Sequence, residues 1–336
     1  MKVLVTGASG FLGRAVVAAL LERGHAVKVL LRPSACLADL PWASKVEVVR
    51  GDLRVARDLE EVLEGVDAVA HLAARAGGDP VAHFQGTVLG TERLLHAMTG
   101  SEVRRLLLVS SLSVYDWRAA RGALVEESPL EPSMYTRDGY AIAKIWQERL
   151  CRRYAGDHGL DLVVLRPGFI WGRSREWIDG VGIRLGRHVL VNGPFRRLPL
   201  THVDNCADVV AAALESEAAT GETFNVFDSD EIRAWRFASD YVRRGGGGYR
   251  IPFPYFAGLL AAGIASAIAR LLIGRNAKLP GILVPQRYRA RFRSLRFPNA
   301  KLRRVLGWTP PYGYEESLRR SYAESTAAPQ GTPLDF

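Results

Sequence analysis

Residues 2–13, Lys-Val-Leu-Val-Thr-Gly-Ala-Ser-Gly-Phe-Leu-Gly, constrain the fold more than any other stretch of the chain. Val3, Leu4 and Val5 form a short apolar run with the character of a buried strand. Gly7, Gly10 and Gly13 follow at three-residue spacing, and 15–21 reads as helix. Strand, glycine turn and helix in that order bring backbone N–H groups and a helix N-terminus to one point, which suits a pyrophosphate. There Gly7 takes the tight turn, Gly10 admits the anion to the backbone, and Gly13 lets helix and strand pack closely. A dinucleotide is the expected ligand.

Further strands are expected at 26–31, 46–49, 68–72 and 106–109, with a helix at 86–98. Strand and helix alternate, which predicts an α/β fold: a doubly wound parallel sheet with right-handed crossovers. Ligands of such sheets sit at the carboxyl ends of the strands. Arg32 closes the second strand, where an acidic residue would hold the adenosine ribose and reject a 2′-phosphate. A guanidinium there can hold that phosphate instead. NADP is therefore expected ahead of NAD, with a solvated strand-end arginine as the plain alternative. After the third strand, Asp52 can accept from the adenine amino group with Leu53 flanking the ring, or it can cap a following helix. Ala73 and Ala74 leave room for a ligand at the end of the fourth strand, and His71 reads as a packed strand histidine.

Ser110-Ser-Leu-Ser-Val-Tyr115 follows the fifth strand directly, so its hydroxyls belong to the ligand edge. Tyr140 and Lys144 lie four apart on an expected helix and share a face, which Glu148 extends. Hydride transfer to a carbonyl needs a proton donor for the developing alkoxide. A free tyrosine, with a pKa of about 10, donates poorly near neutrality, and an adjacent ammonium lowers that value. Lys144 can do this while holding the nicotinamide ribose, and Ser111 can orient the substrate oxygen.

Taken together, these segments resemble the extended short-chain dehydrogenase/reductases, the NAD(P)-dependent epimerase/dehydratase superfamily. The resemblance runs from Lys2 to about Asp230 and more weakly to Trp308. It rests on Thr6–Gly13, on Val109–Tyr115, on the Tyr140/Lys144 pair and on Leu165-Arg-Pro-Gly168 with Ile170-Trp-Gly172. His202-Val-Asp204-Asn205-Cys-Ala207 and Gly221-Glu-Thr-Phe-Asn225-Val226 add later landmarks. It implies a Rossmann sheet with a smaller, mostly C-terminal substrate domain, and Ser111, Tyr140 and Lys144 as catalytic residues. Cofactor contacts are implied at Gly7, Ser9, Gly10, Phe11, Leu12, Gly13, Arg32, Asp52, Leu53, Leu72, Ala73, Ala74, Tyr140, Lys144, Pro167 and Gly168, with no metal. Residues 1–166, rejoined by 200–228, are expected to form the dinucleotide domain. Residues 167–199 and 229–324 form the substrate region, and 325–336 a disordered tail. Two departures stand out. Thr87 occupies the place of an asparagine that supports the lysine in many relatives. Leu112 and Ser113 replace the Asp-Glu pair of sugar-nucleotide dehydratases, which argues against water elimination.

In the second half, Trp171, Arg173, Arg175 and Trp177 are candidates to line a pocket, or form a mixed surface loop. Leu198–Val203 reads as strand and 207–216 as helix, with Asp204 as its N-cap. Residues 245–248 form a glycine turn. Residues 253–273 are apolar except for Arg270, and a buried or pocket-covering helix is expected ahead of a membrane-surface helix or a span. Arg287, Arg289, Arg291 and Arg293 alternate with other residues, so a strand would place all of them on one face for a phosphate or lipid headgroups.

The chain has 336 residues, 48% of them hydrophobic, and can bury a large core. Lys+Arg 45 against Asp+Glu 35 gives a net charge of +10. No nucleic-acid module accompanies it, so phosphate-bearing ligands or membrane lipid are expected instead. Three dispersed cysteines, Cys36, Cys151 and Cys206, indicate neither a disulfide framework nor a zinc site. With no signal peptide ahead of the glycine turn, a cytoplasmic location is expected, membrane association remaining open. The expected partner is a small-molecule substrate, with peripheral membrane contact through 253–273 and a homodimer left open. The leading functional expectation is an NAD(P)-dependent oxidoreductase interconverting a ketone and a secondary alcohol on a hydrophobic, sterol-like substrate, as the 3β-hydroxysteroid dehydrogenase and dihydroflavonol reductase branches imply. A nucleotide-sugar 4-epimerase or reductase is the alternative. A non-catalytic NADP sensor fits less well, because it needs no proton relay.

Overall fold

A computed structural model of the chain describes residues 1–55, 59–75, 77–133, 137–246, 248–274 and 279–323. The tail expected at 325–336 and Gly247 of the glycine turn lie outside them. In chain order the first strands are β1 (Lys2–Thr6), β2 (Ala26–Leu31), β3 (Glu47–Arg50), β4 (Ala68–His71), β5 (Arg105–Val109) and β6 (Asp161–Pro167). Then come β7 (Phe169–Trp171), β8 (Gly182–Leu185), β9 (His188–Asn192), β10 (Leu200–His202), β11 (Thr223–Val226) and β12 (Arg250–Phe253). The helices begin with α1 (Phe11–Glu22), α2 (Leu59–Leu63), α3 (Pro80–His83), α4 (Gly90–Thr99), α5 (Gly139–His158) and α6 (Val203–Glu215). They continue with α7 (Ala234–Tyr241), α8 (Tyr255–Leu272), α9 (Pro285–Phe292), α10 (Ala300–Leu306) and α11 (Tyr314–Tyr322).

The main sheet has seven strands in the order β11-β6-β5-β4-β1-β2-β3, every neighbouring pair parallel. Successive side chains of a strand face opposite ways. Val3 and Val5 of β1 accordingly join Val16, Val17 and Leu20 of α1 and Val209 and Val210 of α6. Leu4 faces the other layer, with Val62 of α2, Leu94 and Leu95 of α4 and Cys151 of α5. Both faces are covered, which is why the strands are near-continuous apolar runs. The order reverses between β1 and β4, and it is at the carboxyl ends flanking such a reversal that sheets of this kind bind their ligands.

A smaller region gathers around the β8–β9 hairpin, β12 parallel to β9, and the parallel pair β7–β10. Its core joins Trp171, Val189, Val191, Phe237 and Tyr314.

Three expectations are overturned here. The segment carrying Arg287, Arg289, Arg291 and Arg293 is the helix α9 and its cap, not a strand, so those arginines do not share one face. Pro285 at the first turn and the buried pair Tyr288 and Phe292, four apart, set the helix. The helix α8 is not buried. Only Gly258, Ala262 and Ala269 of it are, whereas Phe256 is 79% and Leu271 85% exposed. At α6 the cap is His202, whose ring accepts from Asp204 N. Asp204 lies in the first turn and pairs with Arg320 at 2.6 Å, so it is not the cap.

Candidate active site

The glycine turn is built as its spacing requires. Gly7 has φ +76°, and a Cβ there would meet Ala73 N at 2.8 Å, so the turn lies directly against the end of β4. A Cβ on Gly13 would meet Gly7 O at 2.1 Å and Ala8 Cα at 2.8 Å. Only a residue without a side chain lets α1 start this close to β1. Gly10 N donates to Gly7 O at 3.0 Å, and Gly10 is the N-cap of α1 with no side-chain hydrogen bond of its own. Ser9 is partly buried and its carbonyl accepts from Arg14 Nε, while Phe11 and Leu12 form the first turn of α1. These features fit a dinucleotide phosphate: free N–H groups at a helix N-terminus, and a backbone cradle that any Cβ would fill.

At the adenosine end, Arg32 is exposed and its carbonyl accepts from Arg50 Nη1 at 3.1 Å. Asp52 pairs with Arg54 at 2.6 Å. That hydrogen bond, aided by the charges of Arg54 and Arg32, holds the Asp52 carboxyl below its ordinary value against the effect of burial. Asp52 caps a turn over 52–55, its Oδ1 accepting from Arg54 N and its carbonyl from Val55 N. Leu53 is buried against Gly90. Leu72, Ala73 and Ala74 are each partly exposed at the end of β4.

The hydroxyl groups converge at the end of β5. Ser111 caps a short turn, its Oγ accepting from Ser113 N at 3.1 Å. Asp138 caps α5 by accepting from Ala141 N at 2.9 Å, which fixes Tyr140 in the first turn. Ser111 is a close neighbour of the Tyr140 hydroxyl. Burial raises the Tyr140 pKa, opposed by Ser111 and by the charge of Arg175. This differs from the expected lowering by Lys144, whose ammonium is engaged elsewhere. Lys144 Nζ donates to Val109 O and to Gln147 Oε1, each at 2.8 Å, and burial depresses its pKa to about 8.

Gln147, absent from the sequence reading, extends this arrangement. Its Nε2 donates to Thr91 Oγ1 at 2.9 Å and to Ala73 O at 3.2 Å, tying Lys144 to the end of β4. The signal was there: Gln147 follows Lys144 by three residues, on the same helix face. His71 bridges Thr6 (2.7 Å) and Thr91 (2.8 Å), as a packed strand histidine should, and burial pushes its pKa to about 3. Thr87 accepts from Arg75 N at 3.0 Å, in a π-helical turn leading into α4.

Arg175 also reaches the site. The loop after β7 folds back at Gly172 and Arg175, with Ser174 at φ +70°. A non-glycine residue in that region marks a constrained turn. Its result is a guanidinium 5.4 Å from the Phe11 ring centroid, whose charge also reaches Tyr140. Trp171, by contrast, is wholly buried against His202, Phe237 and Tyr314. Trp177 packs on Tyr241, and Arg173 is exposed. Pro167 ends β6, and Gly168 N donates to Val226 O; a Cβ on Gly168 would meet Pro199 O at 2.1 Å. Glu148 faces away from this chemistry, into an ion pair with Arg166.

A phosphate cradle at the switch point of a doubly wound sheet, with a serine, a tyrosine and a buried lysine gathered at the end of β5, defines a Rossmann-type nicotinamide oxidoreductase. Residues 3–226 match the NAD dependent epimerase/dehydratase family. The chain belongs to that family and is an NAD(P)-dependent enzyme of the extended short-chain dehydrogenase/reductase type. It is 28% identical over 335 residues to a Mycobacterium tuberculosis 3 beta-hydroxysteroid dehydrogenase/Delta 5→4-isomerase, covering 94% of this chain and 88% of that protein. It is also 28% identical, over 95% of both chains, to a Stigmatella aurantiaca protein named 4-hydroxy-2-methyl-3-oxo-4-farnesyl-3,4-dihydroquinoline-1-oxide ketoreductase. Among solved structures, UDP-glucuronic acid 4-epimerase from Bacillus cereus, in complex with UDP-glucuronic acid and NAD, superposes with a TM-score of 0.71. It is 22% identical and covers 96% of this chain and 98% of that one, a likeness of fold.

Proposed function

We propose that this enzyme interconverts a ketone and a secondary alcohol on a hydrophobic, sterol-like or polycyclic substrate, with NADP as the favoured nucleotide. The observation that carries the reading is the convergence at the end of β5 of Ser111, on the turn that follows the strand, with Tyr140 in the first turn of α5, one helical turn before Lys144, whose Nζ donates to Val109 O. Gly7, Ser9, Gly10, Phe11, Leu12 and Gly13 would hold the pyrophosphate, with Leu72–Ala74, Pro167 and Gly168 along the crevice. Arg32 would hold the 2′-phosphate. When bound, the nicotinamide supplies or accepts a hydride. In the reducing direction Tyr140 gives its proton to the carbonyl oxygen, and Ser111 donates a hydrogen bond to the same atom. Burial keeps the phenol protonated near neutrality, as a proton donor must be. Lys144 would hold the ribose and carry positive charge below about pH 8. Leu112 and Ser113 after the serine offer no carboxylate pair, so elimination is not part of the reading. The two curated relatives quoted above carry steroid and farnesyl-quinoline names, which supports an apolar substrate. Residues 167–199 and 229–324 are assigned to its recognition.

The test is a panel of sterols, apolar ketones and nucleotide sugars, followed by nicotinamide absorbance and product analysis. Net NADPH oxidation with an apolar ketone is the expected result. Epimerised nucleotide sugar with no net cofactor turnover would replace the proposal with a 4-epimerase, a reading supported by the 28% identity to a Bacillus subtilis protein named as an uncharacterized UDP-glucose epimerase.

A further inference from the structure

The helix α8 carries two stripes whose usual places are exchanged. Gly258, Ala262, Ser266 and Ala269 face the protein, and Ser266 Oγ donates to Leu283 O at 2.9 Å. A Cβ on Gly258 would fall 2.0 Å from the Tyr288 hydroxyl, so α9 lies tightly against this side. Phe256, Leu260, Ile264 and Ile268 point outward, 79%, 65%, 52% and 50% exposed. Leu271, Leu272 and Ile273 continue the exposed apolar surface. A shallow apolar groove of about 480 Å3 runs between Phe256 and Ala267. Large apolar residues at four-residue spacing on a solvent face bring no folding stability and mark an interaction surface.

The first turn of α8 opens onto a cavity of about 640 Å3. Tyr255, Phe256 and Leu259 form its apolar side and Arg118, Arg121, Arg289 and Arg293 its polar side, with Phe195, 77% exposed, at the rim. Among the described residues, none of these four arginines forms an ion pair. Burial, then repulsion from Arg121 and Arg289, lowers the Arg293 pKa. A concentration of cations that repel one another beside an apolar stripe calls for an amphiphile with an anionic head. A second copy, also at +10, would add positive charge rather than cancel it.

We propose that the outer face of α8 and the arginine cluster at its first turn dock the enzyme on the surface of an anionic phospholipid bilayer. The helix lies in the interfacial plane. Its 18 residues reach about 27 Å, short of a ~30 Å hydrocarbon core, and its inner side is occupied by α9, so it does not span. Arg270 snorkels at the far end. The arginines hold lipid phosphates while Phe256, Leu260 and Ile264 enter the acyl boundary. The proposal is independent of the ketone–alcohol reading, because solution turnover is measured without vesicles.

The test is co-sedimentation of the full chain with phosphatidylcholine vesicles, with and without about one third phosphatidylglycerol, at physiological salt. Binding to the anionic vesicles is expected to exceed that to the neutral ones by roughly tenfold or more. Leu260→Glu with Ile264→Glu abolishes binding to both. Arg118→Glu with Arg289→Glu removes the preference for anionic lipid. All these side chains are at least partly solvent-exposed, and an unchanged unfolding midpoint verifies that the variants fold. A wild-type chain that stays in the supernatant overturns the proposal. So does lipid binding that survives Leu260→Glu/Ile264→Glu, or a vesicle-free dimer that those substitutions dissociate.

Discussion

Lys144, the proposed ribose-holding lysine, shows how much a buried charge owes to neighbours that do no chemistry. Its ammonium is fully enclosed, and two acceptors, Val109 O and Gln147 Oε1, are what keep a charge there at all. The result is a pKa near 8, lower than ordinary lysine because burial opposes the charged form. Gln147→Glu would replace one neutral acceptor by a carboxylate, which favours the ammonium. The basic limb of the kcat/KM profile should then move up from about 8 by roughly a unit or more. Gln147→Met should move it down and lower kcat about tenfold, because Lys144 loses a partner. A merely structural role for Gln147 would shift the unfolding midpoint and leave that limb in place. Tyr140→Phe removes the proposed proton donor, so kcat should fall by about 10²–10⁴ while NADPH affinity, read by fluorescence titration, stays within a few fold. Arg32→Ala tests the cofactor reading. Its carbonyl is pinned by Arg50 and its side chain is exposed, where a guanidinium can meet a phosphate. NADPH binding should weaken roughly 10–100-fold and NADH binding hardly at all.

At the scale of the element, legibility depended on whether a pattern admits one backbone or two. The glycine turn admits one. Gly13 is needed because α1 starts against Gly7 O, and Gly13→Ala should cost about 1–3 kcal/mol and weaken NADPH binding, both measurable by denaturant unfolding with and without nucleotide. The Tyr140/Lys144 spacing was equally plain, since four residues on a helix share a face. Gln147 was not, because a buried amide looks like any other polar helix residue until its partners are seen. The arginines at 287–293 admit two backbones. Alternation puts them on one strand face, but on a helix each step of two turns by about 200°. They therefore splay, Arg287 donating to Arg137 O and Arg291 approaching Asp179. The decisive residues were the apolar ones between them, Tyr288 and Phe292. For α8 the composition identified a helix, but not that its small residues would face inward and its large ones out. Close approach of α9 at Gly258 decides that, and no periodicity of hydrophobicity alone reveals it.

Across the whole molecule, the sheet, α5 and the later strands are joined by one buried polar network that the sequence did not disclose. Glu148 of α5 accepts from Arg166 Nε at 3.1 Å, from Ser110 Oγ at 2.8 Å and from Arg152 Nη2 at 2.9 Å. Arg166 of β6 also donates to Tyr115 Oη at 2.8 Å, and Tyr115 donates to Asn225 Oδ1 of β11 at 2.7 Å. Burial pushes the Glu148 carboxyl up, but Arg166, Arg152 and Ser110 together outweigh it and hold the value below the ordinary carboxylate range. A depressed acid stabilises the fold above its unfolded pKa of about 4.3, and that contribution is lost as pH falls through the lower folded value. Glu148→Ala should therefore cost about 3–5 kcal/mol at neutral pH, because it strands the Arg166 guanidinium, whose side chain is 3% exposed. If that stranded charge is the cause, removing it as well should relieve the loss. Glu148→Ala with Arg166→Met is expected to be more stable than Glu148→Ala alone, a coupling read from denaturant midpoints of the four members of the cycle. Additive losses would mean instead that Glu148 acts by packing, and that the charge of Arg166 finds adequate support in Tyr115 and the carbonyl of Glu126.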